Sequence, residues 1–259
     1  MSEIKSWSFS RLQDWKSCKL RAYLKHAKRI PDPNPSPAAD RGSVIHQMAE
    51  DFVRSEITVL PVELAHFEGE YRSLAATYKR SPGAIELEGE WGLDRDWNQV
   101  DYKTAWGRIK LDLFYRMGES HAAVVDYKTG RKDGNENKHA EQLQFYATVS
   151  FCRFDWLETV DAELYYVDKN ELTKITFERQ KAFSRYLPHW NDLAVEMTEA
   201  IDFPPNPNIN SCKYCSFGAD DTYNKSARYG PTCGTGHCSV RVVDEVATKN
   251  FYQRMHGKK

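Results

Sequence analysis

Apolar residues recur at helical spacing near the N-terminus. Leu12, Trp15, Leu20, Tyr23 and Leu24 follow Ser8 and Ser10, so the pattern predicts an opening helix with a serine N-cap and with Cys18 on it. The run Pro31-Asp-Pro-Asn-Pro-Ser-Pro37 interrupts that period; alternate prolines fix φ and remove donors, so it reads as an extended linker. From Gly42, the positions Val44, Ile45, Met48, Ala49, Phe52 and Val53 return to steps of three and four, predicting a second helix that carries His46. A fainter helical pattern fills residues 61–80.

Between Ala84 and Asp126 the pattern shifts to alternation and short β-rich runs. Ile85 with Leu87, Thr104 to Phe114, and Ala122 to Val125 predict three strands. Gly130 to Asn137 is polar and turn-like, after which His139 to Phe151 is helical through Leu143, Tyr146, Ala147 and Val149. Two further strands follow, over Ala162–Val167 and Lys174–Phe177, and a long helix runs from about Glu178 to Ala200. Helices, three strands, helix, two strands, helix is the order of an α/β fold with a mixed sheet. Beyond Phe203-Pro-Pro-Asn-Pro-Asn the chain turns polar, Gly-rich and Cys-rich. The expected organisation is a core over 1–203, with the N-terminal helix in 1–30, a Cys-rich metal-binding appendage over 204–240, and a tail over 241–259.

Composition narrows the function classes. With 259 residues and 41% hydrophobic content the chain can bury one substantial core. Lys and Arg number 36 against 37 Asp and Glu, so the net charge of −1 gives no global signature of nucleic-acid binding, and any such contact must come from a local patch. No apolar run approaches the roughly 20 residues of a membrane span, and the first residues lack a signal-peptide core, so a cytoplasmic protein without a membrane partner is expected. Six cysteines, four of them crowded near the C-terminus, then argue for a metal rather than disulfides.

The chemistry-bearing stretch is Gly107-Arg-Ile-Lys-Leu-Asp112 followed by Val124-Val-Asp126-Tyr-Lys128-Thr-Gly130. An Asp ending one strand and an Asp-x-Lys on the next put two carboxylates and an ammonium at neighbouring strand ends, because residues i and i+2 share a sheet face. Two hard carboxylates suit Mg²⁺ or Mn²⁺, which can clamp a phosphate and acidify a bound water, and Lys128 could orient that water or stabilise the transition state. Alone, an Asp-x-Lys is ordinarily a charged turn after a buried strand, and Asp112 a residue on a solvated face. Glu86, Glu88 and Glu90 share a strand face and could add a ligand, although edge-strand acids usually face solvent.

Five motifs in order resemble the RecB/AddB-type branch of the PD-(D/E)XK nuclease superfamily, which includes the CRISPR-associated adaptation nuclease. They are Ser8-Phe-Ser-Arg-Leu-Gln-Asp-Trp-Lys-Ser-Cys18, Gly42-Ser-Val-Ile-His46, Gly107 to Asp112, Asp126-Tyr-Lys128, and Gln142-Leu-Gln-Phe-Tyr146. The resemblance implies a restriction-endonuclease-like core and a metal held by His46, Asp112, Asp126 and the Tyr127 carbonyl. Asp112, Asp126 and Lys128 would be catalytic, and Gln142 and Tyr146, four apart on one helix face, would touch DNA. On its own, His46 would read as a core histidine and the Gln142–Tyr146 pair as ordinary helix surface. Relatives with an iron–sulfur cluster join one N-terminal cysteine to three near the C-terminus. That implies a four-iron cluster on Cys18, Cys212, Cys215 and one of Cys233 or Cys238. By spacing alone, Cys212-x-x-Cys215 and Cys233-x₄-Cys238 read as a structural zinc site, with His237 an alternate ligand and Cys18 a buried thiol. Cys152 reads as a core residue.

The expected activity is metal-dependent hydrolysis of DNA, by an exonuclease or a single-strand-preferring enzyme, in recombination, repair or phage DNA processing. The competing readings are a nucleic-acid-binding module with a decayed site and a zinc-knuckle interaction protein. No phosphate-cradling Gly-x-x-x-x-Gly-Lys-Ser/Thr loop occurs, so any unwinding would fall to a helicase or recombination partner.

Overall fold

The computed structural model describes residues 2–31, 37–130, 132–206, 212, 215 and 217. Two compact units emerge: residues 36–193, and residues 1–35 together with those from 194 onward.

The unit of residues 36–193 is built on a six-stranded sheet of order β2-β1-β3-β4-β5-β6. The strands are β1 (Ile85–Leu93), β2 (Gln99–Val100), β3 (Gly107–Arg116), β4 (His121–Lys128), β5 (Thr159–Tyr166) and β6 (Glu171–Glu178). The sequence pattern missed β2, whose two residues are too few to show alternation. β4 and β5 are parallel while the other neighbours are antiparallel, so the sheet is mixed as the element order predicts. The parallel pair is joined through α5 (Glu136–Arg153), since a parallel return needs a crossover. The β4 run Ala122-Ala-Val-Val-Asp-Tyr127 is buried throughout, as expected of a strand covered on both faces.

One face of the sheet is covered by α3 (Pro37–Val53) and α4 (Glu68–Arg80), with a 3₁₀ turn at Val62–Phe67 between them. Ile45, Ala49 and Phe52 of α3 and Tyr71 and Leu74 of α4 pack with Leu113, Val125, Tyr127 and Tyr165 from the strands. α3 begins at Pro37, within the stretch read as linker; proline is compatible with a first helical turn because its missing N–H has no partner there anyway. On the other face Phe114 and Trp91 pack against Phe154, and Phe145 of α5 meets Trp190. The predicted C-terminal helix is three pieces: α6 (Arg179–Lys181), a π turn at Ala182–Tyr186, and α7 (Leu187–Glu199).

In the second unit the predicted opening helix is two, α1 (Phe9–Ser17) and α2 (Lys19–His26). Ser8 caps α1 by accepting the Arg11 N–H. Cys18 is not on a helix but between the two, at φ −164 and ψ 118, closing one and opening the next. A break of one residue leaves the apolar spacing almost intact, which is why the period did not reveal it. Trp15 and Tyr23 pack on Phe203, the latter stacked at 4.3 Å.

Candidate active site

The site forms where two strands part. β3 and β4 pair from Arg116↔Ala122 down to Leu113↔Val125, and the next pair would be Asp112 and Asp126. There the ladder stops: the Tyr127 N–H donates to the Asp112 carboxylate at 2.8 Å instead of to a β3 carbonyl. Asp112 therefore does not end its strand, which continues for four residues to Arg116; it ends the β3–β4 pairing. The fork places Asp112 and Asp126 opposite one another.

α3 delivers His46 to the same point. Its Nδ1 lies 3.2 Å from Asp112 Oδ1 and its Nε2 3.0 Å from the Tyr127 carbonyl oxygen. A neutral imidazole has one N–H, so serving both acceptors requires the protonated ring. Burial opposes that charge, but Asp112, the charge of Asp126 and the Tyr127 carbonyl together outweigh it and hold the His46 pKa above its ordinary value. Gly42 lets α3 come close: a Cβ there would lie 3.1 Å from Thr129 Oγ1.

Asp126 is 3% exposed, and its Oδ2 lies 2.6 Å from Lys128 Nζ as an ion pair. The period of two thus brings Asp126 and Lys128 together on one face, as expected. From α5, Gln142 donates to Asp126 Oδ1 at 3.1 Å and to the Tyr146 hydroxyl at 2.8 Å. Burial, reinforced by the charge of Asp112 and opposed by Lys128 and His46, leaves the Asp126 carboxyl raised to about 6. Lys128 also helps burial depress His139, which contacts the Tyr166 hydroxyl at 2.8 Å, to about 4.

Glu88 completes the cluster. Ligand atoms of His46, Glu88 and Asp112 all lie within 4.8 Å of one another, and no other group of three or more such side chains forms among the described residues. The three acids of β1, alike in sequence, diverge. Glu86 accepts from Trp91 Nε1 at 2.9 Å, Glu90 pairs with Lys110 at 2.8 Å, and Glu88 turns to Asp112. It does so at φ 50, a left-handed conformation costly for a residue with a Cβ. Partial burial, then the charges of Asp112 and Glu50, raise its pKa. No sequence signal separates Glu88 from its neighbours; only the backbone conformation does.

This donor set fits a hard divalent cation. His46, Glu88 and Asp112 form the ligand group, Asp126 stands opposite Asp112 outside that group, and the buried Asp126 Oδ2 has Lys128 as its neighbour. Of the cysteines, Cys18 Sγ accepts the Asn206 N–H at 3.4 Å, and the Cys215 N–H donates to the Cys212 carbonyl. Cys18, Cys212 and Cys215 do not form a three-ligand group among the described residues, while Cys233, Cys238 and His237 lie outside them. Cys152 is partly exposed on α5, and burial raises its thiol to about 12.

No curated protein matches the chain significantly. Among solved structures, the chain is similar to the crystal structure of SSO0001, with 15% identity and a TM-score of 0.42 over 83% of this chain and 85% of that one. It is also similar to a protein described as an exonuclease from Eubacterium rectale, with 12% identity, TM-score 0.43, and 78% and 85% covered. An alkaline exonuclease from Laribacter hongkongensis is likewise similar, with 11% identity, TM-score 0.31, and 76% and 89% covered. A family model describing the PD-(D/E)XK nuclease superfamily matches residues 6–219, and the chain belongs to that superfamily.

Proposed function

We propose that the protein is a divalent-cation-dependent DNA nuclease that hydrolyses phosphodiester bonds at the β3–β4 fork. The observation that carries this reading is the opposition of Asp112 and Asp126 where the ladder ends, with Lys128 against Asp126. Asp112, Asp126, His46 and the Tyr127 carbonyl would hold Mg²⁺ or Mn²⁺, and Glu88, grouped with His46 and Asp112, would add its carboxylate. The cation, when bound, supplies Lewis-acid activation of water and neutralises charge on the phosphate.

The chain's own groups do the rest. Lys128, whose ammonium lies 2.6 Å from Asp126 Oδ2, would orient water and offset negative charge on the reacting phosphate. Gln142 fixes Asp126 from one side and Tyr146 fixes Gln142, so these two residues orient the carboxylate; Tyr146 is itself buried, which leaves the half-buried Gln142 as the one of the pair that could touch DNA. His46 bridges Asp112 and the Tyr127 carbonyl as a protonated ring, and to ligate a cation it would first lose the proton from the nitrogen that turns to it. What supports the RecB/AddB-type branch is the resemblance of five motifs in order. The test is Mg²⁺-dependent release of label from linear DNA, which Asp126→Ala and Lys128→Ala must abolish without loss of fold.

For the cysteines the reading is an iron–sulfur cluster on Cys18, Cys212, Cys215 and Cys233 or Cys238. What supports it is the return of the C-terminal segment to Cys18: Asn206 donates to Cys18 Sγ and to the Ser17 carbonyl, and Leu20 donates to the Pro204 carbonyl. Iron and sulfide analysis of protein purified without oxygen tests it; stoichiometric zinc without iron assigns the site to a structural zinc instead.

A further inference from the structure

Charge divides along the same boundary as the two compact units. Residues 36–193 hold 20 Lys and Arg against 27 Asp and Glu, a net −7; residues 1–35 with 194–259 hold 16 against 10, a net +6. The two sum to the −1 of the chain. The unit that carries the carboxylate cleft is therefore the one a polyanion is repelled by. If DNA is the substrate, a basic surface on the other unit would add the attraction that this unit's net charge opposes.

The densest positive stretch is Lys16 to Arg29, which holds six Lys and Arg and no Asp or Glu. We propose that the α1–α2 helix pair is a grip for the phosphodiester backbone of DNA, separate from the residues that carry the chemistry. This rests on the reading of the protein as a DNA nuclease. Lys16 lies in the last turn of α1, Lys25 and His26 in the last turn of α2, and Lys28 and Arg29 just beyond it. Lys16, Lys25, Lys28 and Arg29 are all exposed. Asp14 alone serves Arg21 at 3.2 Å, Lys25 at 2.9 Å and His26 at 2.9 Å. Glu3 faces Lys28 at 2.9 Å and Glu196 faces Lys19 at 2.5 Å, and such exposed pairs are weak enough to be exchanged for phosphate. Duplex DNA carries one charge per about 1.7 Å and single strands are likewise polyanionic, so a row of exposed cations gains affinity by releasing their counterions.

The test measures binding of the full chain to fluorescein-labelled single-stranded and duplex DNA by anisotropy, in EDTA so that nothing is cut, across a NaCl series. The variant is Lys16→Gln/Lys25→Gln/Arg29→Gln, which leaves Arg21 and His26 on Asp14. The grip predicts affinity at low salt falling by about tenfold or more. It also predicts that the slope of log K against log[NaCl] for single strands becomes shallower by about 2, on the scale of roughly 0.7 per lost phosphate contact. Lys103→Gln/Lys110→Gln, exposed on the other unit, should keep the wild-type slope. If the triple variant unfolds, Arg29→Gln alone should still remove about 0.7 of slope. A folded triple variant with wild-type affinity and slope, or a wild type that binds neither DNA at low salt, overturns the proposal. Hydrolysis in Mg²⁺ judges the nuclease reading separately. Cutting with unaltered binding by the triple variant removes the grip and keeps the nuclease, whereas salt-sensitive binding without cutting does the reverse.

Discussion

Asp14 and Asp126 are both buried aspartates facing cations, and they end on opposite sides of the ordinary carboxylate range. Burial raises each. At Asp14 it is overcome by the His26 hydrogen bond and the charges of Arg21 and Lys25, which hold the carboxyl at about 2. At Asp126 the single ammonium of Lys128 is set against burial and the neighbouring charge of Asp112, and the carboxyl rises to about 6. The difference lies in the ratio of charges. Asp14 has more positive partners than it can use, so it is satisfied and tethers α1 to α2. Asp126 has Lys128 and the more distant charge of His46 against burial and Asp112, so its site is short of positive charge and would be matched by adding a cation. Shortage marks the reacting site, and surplus marks the scaffold.

The comparison breaks most sharply under substitution of its reacting half. Asp126→Ala and Lys128→Ala should each lower DNA cleavage by at least about 10²–10³-fold, the scale of a lost transition-state charge contact, with unchanged circular dichroism. At the satisfied half the cost falls on stability. Asp14→Asn should lose about 2 kcal/mol in urea unfolding, the linkage value of a carboxyl lowered from 3.8 to about 2. The sign follows from a depressed folded pKa. The contribution is complete above the unfolded value near 3.8 and is lost as pH falls toward 2, so wild type and Asp14→Asn should converge in stability over that window.

Smaller effects separate the three acids of β1. Glu88→Gln should weaken divalent-cation affinity about tenfold by calorimetry, since its carboxylate lies with His46 and Asp112. Glu88→Gly should also weaken the cation but raise stability by about 1 kcal/mol, because glycine adopts φ 50 without strain. Glu90→Gln, which loses an exposed pair with Lys110, should change stability by less than about 0.5 kcal/mol and leave cation affinity alone.

Much of this site was legible in the sequence, and for a physical reason. Asp126 and Lys128 are two apart on a strand, and Gln142 and Tyr146 four apart on a helix, so local periodicity fixes each pair on one face. The ordered motifs supplied His46 and Asp112, which periodicity alone would have left in the core and on a solvated face. Glu88 could not be singled out, because its role follows from a left-handed φ in a run of alternating acids. The strand fork at Asp112 was also hidden, since register between strands depends on long-range pairing. The helix break at Cys18 and the start of α3 at Pro37 were misplaced because period locates elements better than it locates their ends.

The central claim is that the fork between β3 and β4 is a cation-dependent nuclease site. Its most direct test is degradation of end-labelled linear single- and double-stranded DNA, with and without Mg²⁺, by wild type and Lys128→Ala. The account predicts Mg²⁺-dependent cleavage by wild type and none above background by the folded variant. Cleavage by Lys128→Ala at the wild-type rate would contradict it.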